Sequence, residues 1–444
     1  MHSPTLTSPI NLLSNKSQTY AWGKPANESL VYQLAESFVM SRTLDADVVM
    51  RKNYSYIDQI CTVKSNGDQD LSPYAELWMG THPNGPSQVL HQREDSDQGT
   101  LSLSQYLRQK KLVQNADAVP QGEELPFLFK VLSVNQALSI QAHPNKIRAK
   151  QLHANDPEHY KDPNHKPEMT VALTDFEMLC AFKKRIELPQ ELTDALELEE
   201  HRGVIEDRVV LRNAFSKLMR MDAQRVRKLV DAAVDRITRH KGGPQNKEEE
   251  LLMRLNGLYP NDVGVFCPYF MNYVILKPGE CAYLAPNEPH SYLYGDCIEC
   301  MACSDNVVRA GLTPKFRDVD TLVEMLSYKM DKLKNLLHGT GRVIGNHIKV
   351  YLPPAEVKEF KIVKVDLPPG EETQWQLEHV SIAIVMSGAA RLNVLSKKEQ
   401  KEEILHEHAL DVSQGDSLVI DPNTNIRVDN EGKENLLIFI ATQK

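Results

Sequence analysis

Ser139-Ile140-Gln141-Ala142-His143-Pro144-Asn145-Lys146 and Tyr160-Lys161-Asp162-Pro163-Asn164-His165-Lys166-Pro167-Glu168-Met169 are the two pieces from which the rest of the chain can be read. Val131-Leu132-Ser133-Val134 and Leu138-Ser139-Ile140 carry the β-branched and apolar residues of strands, with turn formers at either end. Side chains on a strand alternate between faces, so Gln141 and His143 project from one side about 7 Å apart. That separation suits two ligands of one metal ion. The prolines flanking His165-Lys166 keep that segment out of helix, so Lys166 and Glu168 share a face as well. Far downstream, Pro286-Asn287-Glu288-Pro289-His290 brings another histidine out of a proline turn. Each motif alone reads as structural or solvated. Together, two histidines, a carboxylate and an amide oxygen suit Zn²⁺ with a place left for water or substrate; the same histidines and carboxylate suit non-haem Fe²⁺.

The chain has 444 residues, too many for one simple core, and two or three domains are expected. With 41% hydrophobic and 25% charged residues the composition is that of an ordinary globular protein. The net charge of −9 is spread along the chain, which argues against nucleic acid or an anionic membrane as partner. No apolar run approaches the roughly 20 residues that span a bilayer, and the N-terminus lacks a secretory pattern. Seven cysteines do not form a framework of staples, so reduced thiols and a cytoplasmic location are expected.

In chain order, residues 10–80 mix strand-like runs (48–50 and 54–57) with turns, and Trp22 and Trp78 lie beside glycines. Such an aromatic packs over exposed backbone, or else walls a sugar pocket. Residues 92–100 read as a solvated loop, with a short helix around Leu103, Tyr106 and Leu107 after it. Lys130 interrupts the apolar run Phe127-Leu128-Phe129-Lys130-Val131-Leu132; a cation there needs a partner, snorkels outward or meets substrate. From about 185 to 260 the period turns helical. Val226, Leu229, Val230, Ala233, Val234 and Ile237 form one stripe, with Asp222 placed to cap its start. Further helices are expected over 211–219 and 248–255, the second closed by Gly257. This is a helical insertion in a β protein.

Strand character returns at 270–276 and runs to Cys303. In Cys297-Ile298-Glu299-Cys300-Met301-Ala302-Cys303, strand parity sends Cys300 away from its two neighbours, so the three cannot ligate one ion. Glu299, costly to bury unpaired, either turns outward or works in a pocket. Arg309 and Lys315 are the cations nearest His290 in sequence, suited to anions, although surface solvation is the default for each. A short helix is expected over 322–330, and from 345 onward the pattern is nearly all β. Gly415-Asp416-Ser417-Leu418-Val419-Ile420-Asp421-Pro422-Asn423 echoes Gly279-Glu280-Cys281-Ala282-Tyr283-Leu284-Ala285-Pro286-Asn287, as two copies of one β-sandwich plan would. Eleven residues past the glycine the first copy has His290 and the second Ile426. We therefore expect a catalytic domain from 1–183 and 262–335, a helical insertion over 184–261, and a C-terminal jelly roll over 336–444 without the metal ligand.

The Tyr160–Met169 string resembles the signature of the type I mannose-6-phosphate isomerases. His290-Ser291-Tyr292-Leu293-Tyr294-Gly295, through Arg309-Ala310-Gly311-Leu312-Thr313-Pro314-Lys315, resembles their second signature. Tyr20-Ala21-Trp22-Gly23, Tyr74-Ala75-Glu76-Leu77-Trp78-Met79-Gly80-Thr81-His82-Pro83 and the Ser139–Lys146 piece also match. Ser291 stands where the family has alanine. The resemblance implies a mainly β, cupin-type jelly-roll fold with two related copies. It implies one Zn²⁺ per chain, held by Gln141, His143, Glu168 and His290, and interconversion of mannose 6-phosphate and fructose 6-phosphate, feeding GDP-mannose synthesis. It places Arg309, Glu299, Lys166 and Asp305 in catalysis, and Lys315, Lys130, Trp22 and Ser139 in substrate binding. A small sugar phosphate as partner and a monomeric chain are expected. A cupin Fe²⁺ oxygenase or a non-catalytic sugar-phosphate sensor are the rival readings.

Overall fold

The computed structural model describes residues 8–43, 72–90, 101–112, 125–331, 337–339, 341–398, 401–405 and 408–444. The strand-like runs 48–50 and 54–57 and the loop 92–100 lie outside them. The described residues fall into two compact units. One draws on Met1–Ser133, Cys297–Cys303 and Thr340–Lys444, the other on Val134–Asp296 and Ser304–Gly339.

The first unit is a β-sandwich. One sheet is antiparallel, with Leu436–Thr442 between Lys361–Leu367 and Ser381–Ser387, and Ser417–Ile420 between Ser381–Ser387 and Ile10–Ser14. The other has Asn425–Asp429 between Glu372–Gln376 and Ala389–Lys398. Alternation decides which side faces in. Thr373 and Trp375 are buried while their strand neighbours are exposed, as are Ile426 and Val428 in the facing strand. Trp375, Ile426 and Val428 meet Val363, Val365, Ile438 and Ile440 of the larger sheet in one apolar core. The helix Leu103–Gln109 forms where expected, closed by a capping box between Ser102 and Gln105.

The second unit joins a sheet to the helical segment. Phe176–Lys183 runs antiparallel to Met271–Leu276 on one side and to the start of His290–Ala302 on the other. Ile140–Ala142 pairs with His290 and with Val308–Gly311. Glu168–Ala172 pairs with Cys281–Leu284. The helices Arg208–Met219, Ala223–Arg239 and Lys247–Leu258 carry the apolar stripes read from the sequence, and Asp222 accepts from the Arg225 N–H as the cap. Two boundaries differ. Gly257 lies inside its helix, because the chain turns only at Asn261, whose φ is 62°. The helix expected over 322–330 spans Val319–Met325: Asp318 caps it early, and Tyr328, with φ 52°, cannot continue it. Met330 instead pairs with Phe182. Among the described residues no helix is long and apolar enough to cross a membrane. The six described cysteines are free and buried.

Candidate metal centre and active site

Strand register builds the site. Ile140–Ala142 lies between two partners, and Gln141 stands opposite His290 on one side and Arg309 on the other. Directly opposed residues project on the same face of a sheet, so an amide, an imidazole and a guanidinium emerge side by side from three adjacent strands. His143 follows at once, and Glu168 opens the strand that Pro167 prepares.

His143, Glu168 and His290 are all buried, and one ligand atom from each lies within 4.8 Å of the others. The Nε2 atoms of His143 and His290 stand 3.3 Å from Glu168 Oε1 and Oε2 respectively. The opposite ring nitrogens fix the tautomers: Nδ1–H of His143 donates to the Asn306 carbonyl at 2.7 Å, and that of His290 to the Glu288 carbonyl at 3.2 Å. Both Nε2 atoms are thereby left as buried lone pairs without a hydrogen-bond donor. Lone pairs and a carboxylate converging in this way repel one another unless a cation sits among them. In a tetrahedral site with arms of about 2.0–2.1 Å, neighbouring donors lie about 3.3–3.4 Å apart, matching both measured separations. The residues present fit a metal ion.

The electrostatics agree. Burial pushes His143 down to about 4 against the pull of Glu168, so the ring is neutral at physiological pH and ready to coordinate. Burial alone would raise Glu168, but His143 and Lys166 outweigh it and hold the carboxyl well below its ordinary range. Lys166 Nζ lies 3.3 Å from Glu168 Oε1, the shared face that the two flanking prolines impose.

The loops that carry the motifs also hold these groups in place. Asn306 donates from Nδ2 to the carbonyls of Asp162 (2.6 Å) and Asn164 (2.9 Å). Ser304 Oγ donates to Asn164, and the Asp305 N–H to the Asp162 carboxylate. The turn that receives the His143 proton thus also clamps the segment leading to Lys166 and Glu168. The Asn287 N–H donates to the His143 carbonyl at 2.7 Å, and Asn287 Oδ1 accepts from Asn145. Asp262 accepts from the N–H groups of Gly264 (2.7 Å), Leu312 (2.7 Å) and Thr313 (3.3 Å), fixing the end of the Arg309 strand. Gly264 and Gly311 approach so closely there that a Cβ on either would lie 2.7 Å from the other segment's atoms. Asp-Pro-Asn and Ser-Asp-Asn are turn-forming strings, the only sequence signal such residues give.

The other expected site residues are distributed. Arg309 is half-buried, makes no ion pair among the described residues, and is pressed below the ordinary arginine range by burial. Ser139 Oγ lies 3.4 Å from Gln141 Oε1. Asp305 and Lys315 are exposed. Ser291, the departure from the family pattern, donates to the Leu138 carbonyl at 2.7 Å. In the other compact unit Lys130 neither snorkels nor stands alone. Its ammonium lies 3.2 Å from Glu76 and 3.1 Å from Glu299, over the Trp78 ring. Trp22 is half-buried and packs beside Tyr20. The cysteine run contributes nothing to a metal cluster among the described residues.

A buried two-histidine, one-carboxylate centre on a mainly β, cupin-type scaffold is the layout of a metal-dependent enzyme. The family "Phosphomannose isomerase type I, catalytic domain" matches residues 10–185, and "Phosphomannose isomerase type I, helical insertion domain" matches residues 186–271. A Bos taurus mannose-6-phosphate isomerase is 37% identical over 451 residues, covering 96% of each chain. The crystal structure of an arginine-to-alanine mutant of phosphomannose isomerase from Salmonella typhimurium superposes with a TM-score of 0.73 at 29% identity, over 98% of this chain and 100% of that one. A mannose 6-phosphate isomerase structure bound with zinc and yttrium gives 0.72 at 28% identity, over 98% of this chain and 100% of that one. The chain belongs to the type I phosphomannose isomerase family.

Proposed function

We propose that the protein is a zinc-dependent isomerase interconverting mannose 6-phosphate and fructose 6-phosphate. The observation that carries this reading is the pair of orphaned histidine Nε2 atoms facing the Glu168 carboxylate within a chain of this family. His143, Glu168 and His290 would hold Zn²⁺, with Gln141 as the fourth ligand by register. Bound there, Zn²⁺ supplies Lewis-acid polarisation of the substrate oxygens.

Aldose–ketose isomerisation moves a proton between C1 and C2 through an enediol-like state whose oxygens carry developing negative charge. Arg309, next to Gln141 in register and without a counter-ion among the described residues, is positioned to stabilise that charge. Lys166, beside the carboxylate ligand, is the candidate proton carrier, with Glu299 as its alternative on the strength of the resemblance. On the strength of the resemblance, Asp305 is proposed for catalysis and Ser139, Trp22, Lys315 and Lys130 for substrate binding. The proposed division of labour keeps residues 1–183 and 262–335 as the catalytic part, 184–261 as the insertion and 336–444 as a copy without ligands.

The deciding experiment is a coupled isomerase assay before and after chelation and zinc return. Activity should vanish with the metal and come back with zinc; activity indifferent to chelation sinks the zinc assignment, and restoration by Fe²⁺ alone favours the oxygenase-type centre. Turnover near normal in Glu299→Gln, with Lys166→Met inactive, settles the proton carrier on Lys166. Tritium from solvent should enter C2 of mannose 6-phosphate made from fructose 6-phosphate.

A further inference from the structure

The chain leaves the Val319–Met325 helix through Leu326-Ser327-Tyr328, and this turn grips the loop ahead of His290 at two successive residues. The Ser327 N–H donates to the Asn287 carbonyl at 3.0 Å, and the Ser327 hydroxyl donates to the Glu288 carboxylate. Next along the chain is the Glu288 carbonyl, which accepts the Nδ1–H of His290 at 3.2 Å. Asn287 reaches the other histidine, its N–H donating to the His143 carbonyl at 2.7 Å. Ser327 thus holds two adjacent residues that bond to both histidines of the metal centre. Glu288 is buried, and a charge-assisted bond to a buried carboxylate is among the stronger ones a turn can make.

What fixes Ser327 comes from the helical segment. Tyr328 takes φ 52°, a region that L-residues seldom enter. Its ring is buried, stacked on Phe182 with centroids 5.5 Å apart and edge-on to Phe215 of the Arg208–Met219 helix at 6.5 Å. Its hydroxyl donates to the Val323 carbonyl at 2.9 Å, closing the turn back onto its own helix. The Lys329 N–H donates to Ser327 Oγ at 3.0 Å, which leaves the hydroxyl proton for Glu288.

We propose that Ser327 is a positioning residue for the metal centre, setting the Glu288 peptide so that His290 keeps its Nδ1–H bond and its Nε2 stays aimed at Glu168. This inference rests on the zinc reading above. Partners that orient a ligating imidazole are worth about 10–100-fold in metal affinity, and Ser327 acts one bond further out.

The test is the zinc affinity of the full chain, read by competition with a chromophoric chelator, together with the rise in thermal midpoint that zinc gives over metal-free protein. Ser327→Ala should bind zinc about tenfold more weakly and show a smaller zinc-induced rise, while its isomerase rate at saturating zinc stays near the parent's. Ser327→Thr keeps the hydroxyl and should bind zinc as the parent does. Ser291→Ala, which removes a hydroxyl bonded to Leu138 beside His290, is the control and should also match the parent. The inference is overturned if Ser327→Ala keeps the parent's zinc affinity, if Ser327→Thr is as weak as Ser327→Ala, or if Ser291→Ala weakens zinc equally. A merely structural serine would lower the metal-free and zinc-loaded midpoints together and leave the zinc-induced rise unchanged, which overturns it too. Should Ser327→Ala not fold, Ser327→Cys, whose thiol donates only weakly, takes its place, and parental zinc affinity there has the same meaning. A parent chain that takes up no zinc sinks the zinc reading and the inference with it, a result distinct from all of these.

Discussion

The corner from Lys277 to His290 and the corner from Ser413 to Ile426 are the same piece of backbone put to different uses. In the first, Lys277 N–H donates to the Glu280 carboxylate (2.8 Å) and its carbonyl accepts from Glu280 N–H (2.8 Å). In the second, Ser413 makes the same two bonds with Asp416, at 2.7 and 3.0 Å. Gly279 and Gly415 have φ of 84° and 90°, Asn287 and Asn423 of 64° and 58°. Only glycine and, at some cost, asparagine take that region readily. A four-residue strand lies between the two turns in each copy. Past the second turn they part. His290 has Cys180 and Gln141 as cross-strand neighbours, and aims its ring at Glu168. Ile426 has Trp375 and Val394, and is fully buried in the sandwich core. The corner fixes where a side chain points; the neighbours decide whether pointing there makes chemistry or packing.

Copying the second corner onto the first should have the largest effect. His290→Ile is expected to lower isomerase turnover by about three orders of magnitude or more, since on the proposed assignment it removes a metal ligand and forfeits several kcal/mol of charge stabilisation. Metal analysis and the coupled assay read both consequences, and a variant that keeps its metal and its rate breaks the comparison. The reverse exchange, Ile426→His, should create no second centre, because Trp375 and Val394 offer no atom that can ligate a metal. It should instead cost about 2–4 kcal/mol of stability by burying an imidazole in the apolar sandwich core; denaturant unfolding measures the cost, and metal content should stay at one per chain.

Acid sharpens the contrast further, because only the first corner ends in a titrating cluster. In metal-free protein His143 sits at about 4, against about 6.5 in the unfolded chain. The unfolded chain therefore takes up its proton first as pH falls. Stability should drop between about pH 6.5 and pH 4, by about 3 kcal/mol in all. The depressed Glu168 acts in the same direction, its contribution being lost as pH falls below the ordinary carboxylate range. Urea midpoints at pH 7.5 and 4.5 check the sign; equal midpoints count against it. The smallest effects lie in the shared turn. Asp416, wholly buried and paired with Arg42, should cost about 2–3 kcal/mol when changed to Ala. Glu280→Ala, at a solvated turn, should cost below about 1 kcal/mol.

Much of this was legible in the residues. Period-two and period-3.6 patterns separate the strands from the helical segment, and prolines 163, 167 and 289 restrict the backbone beside Lys166, Glu168 and His290, which the structure brings together. Lys130 announced itself by interrupting an apolar run, although not that two carboxylates, Glu76 and Glu299, would meet it. What stayed hidden was of two kinds. Asn306, Asp162 and Asn287 act through hydrogen bonds between loops far apart in sequence, which leave no period to read. The register that sets Gln141 between His290 and Arg309 is a tertiary choice among pairings that the strands' own composition does not rank.

The Asp262 carboxylate has an implication for anyone trimming this chain. It belongs to the return from the helical segment, yet two of its three bonds hold Leu312 and Thr313, at the end of the strand that carries Arg309. The helices are therefore not a detachable cassette. A shortened enzyme that deletes them would have to splice back ahead of residue 262, or the anchor beside the Arg309 strand leaves with the part discarded.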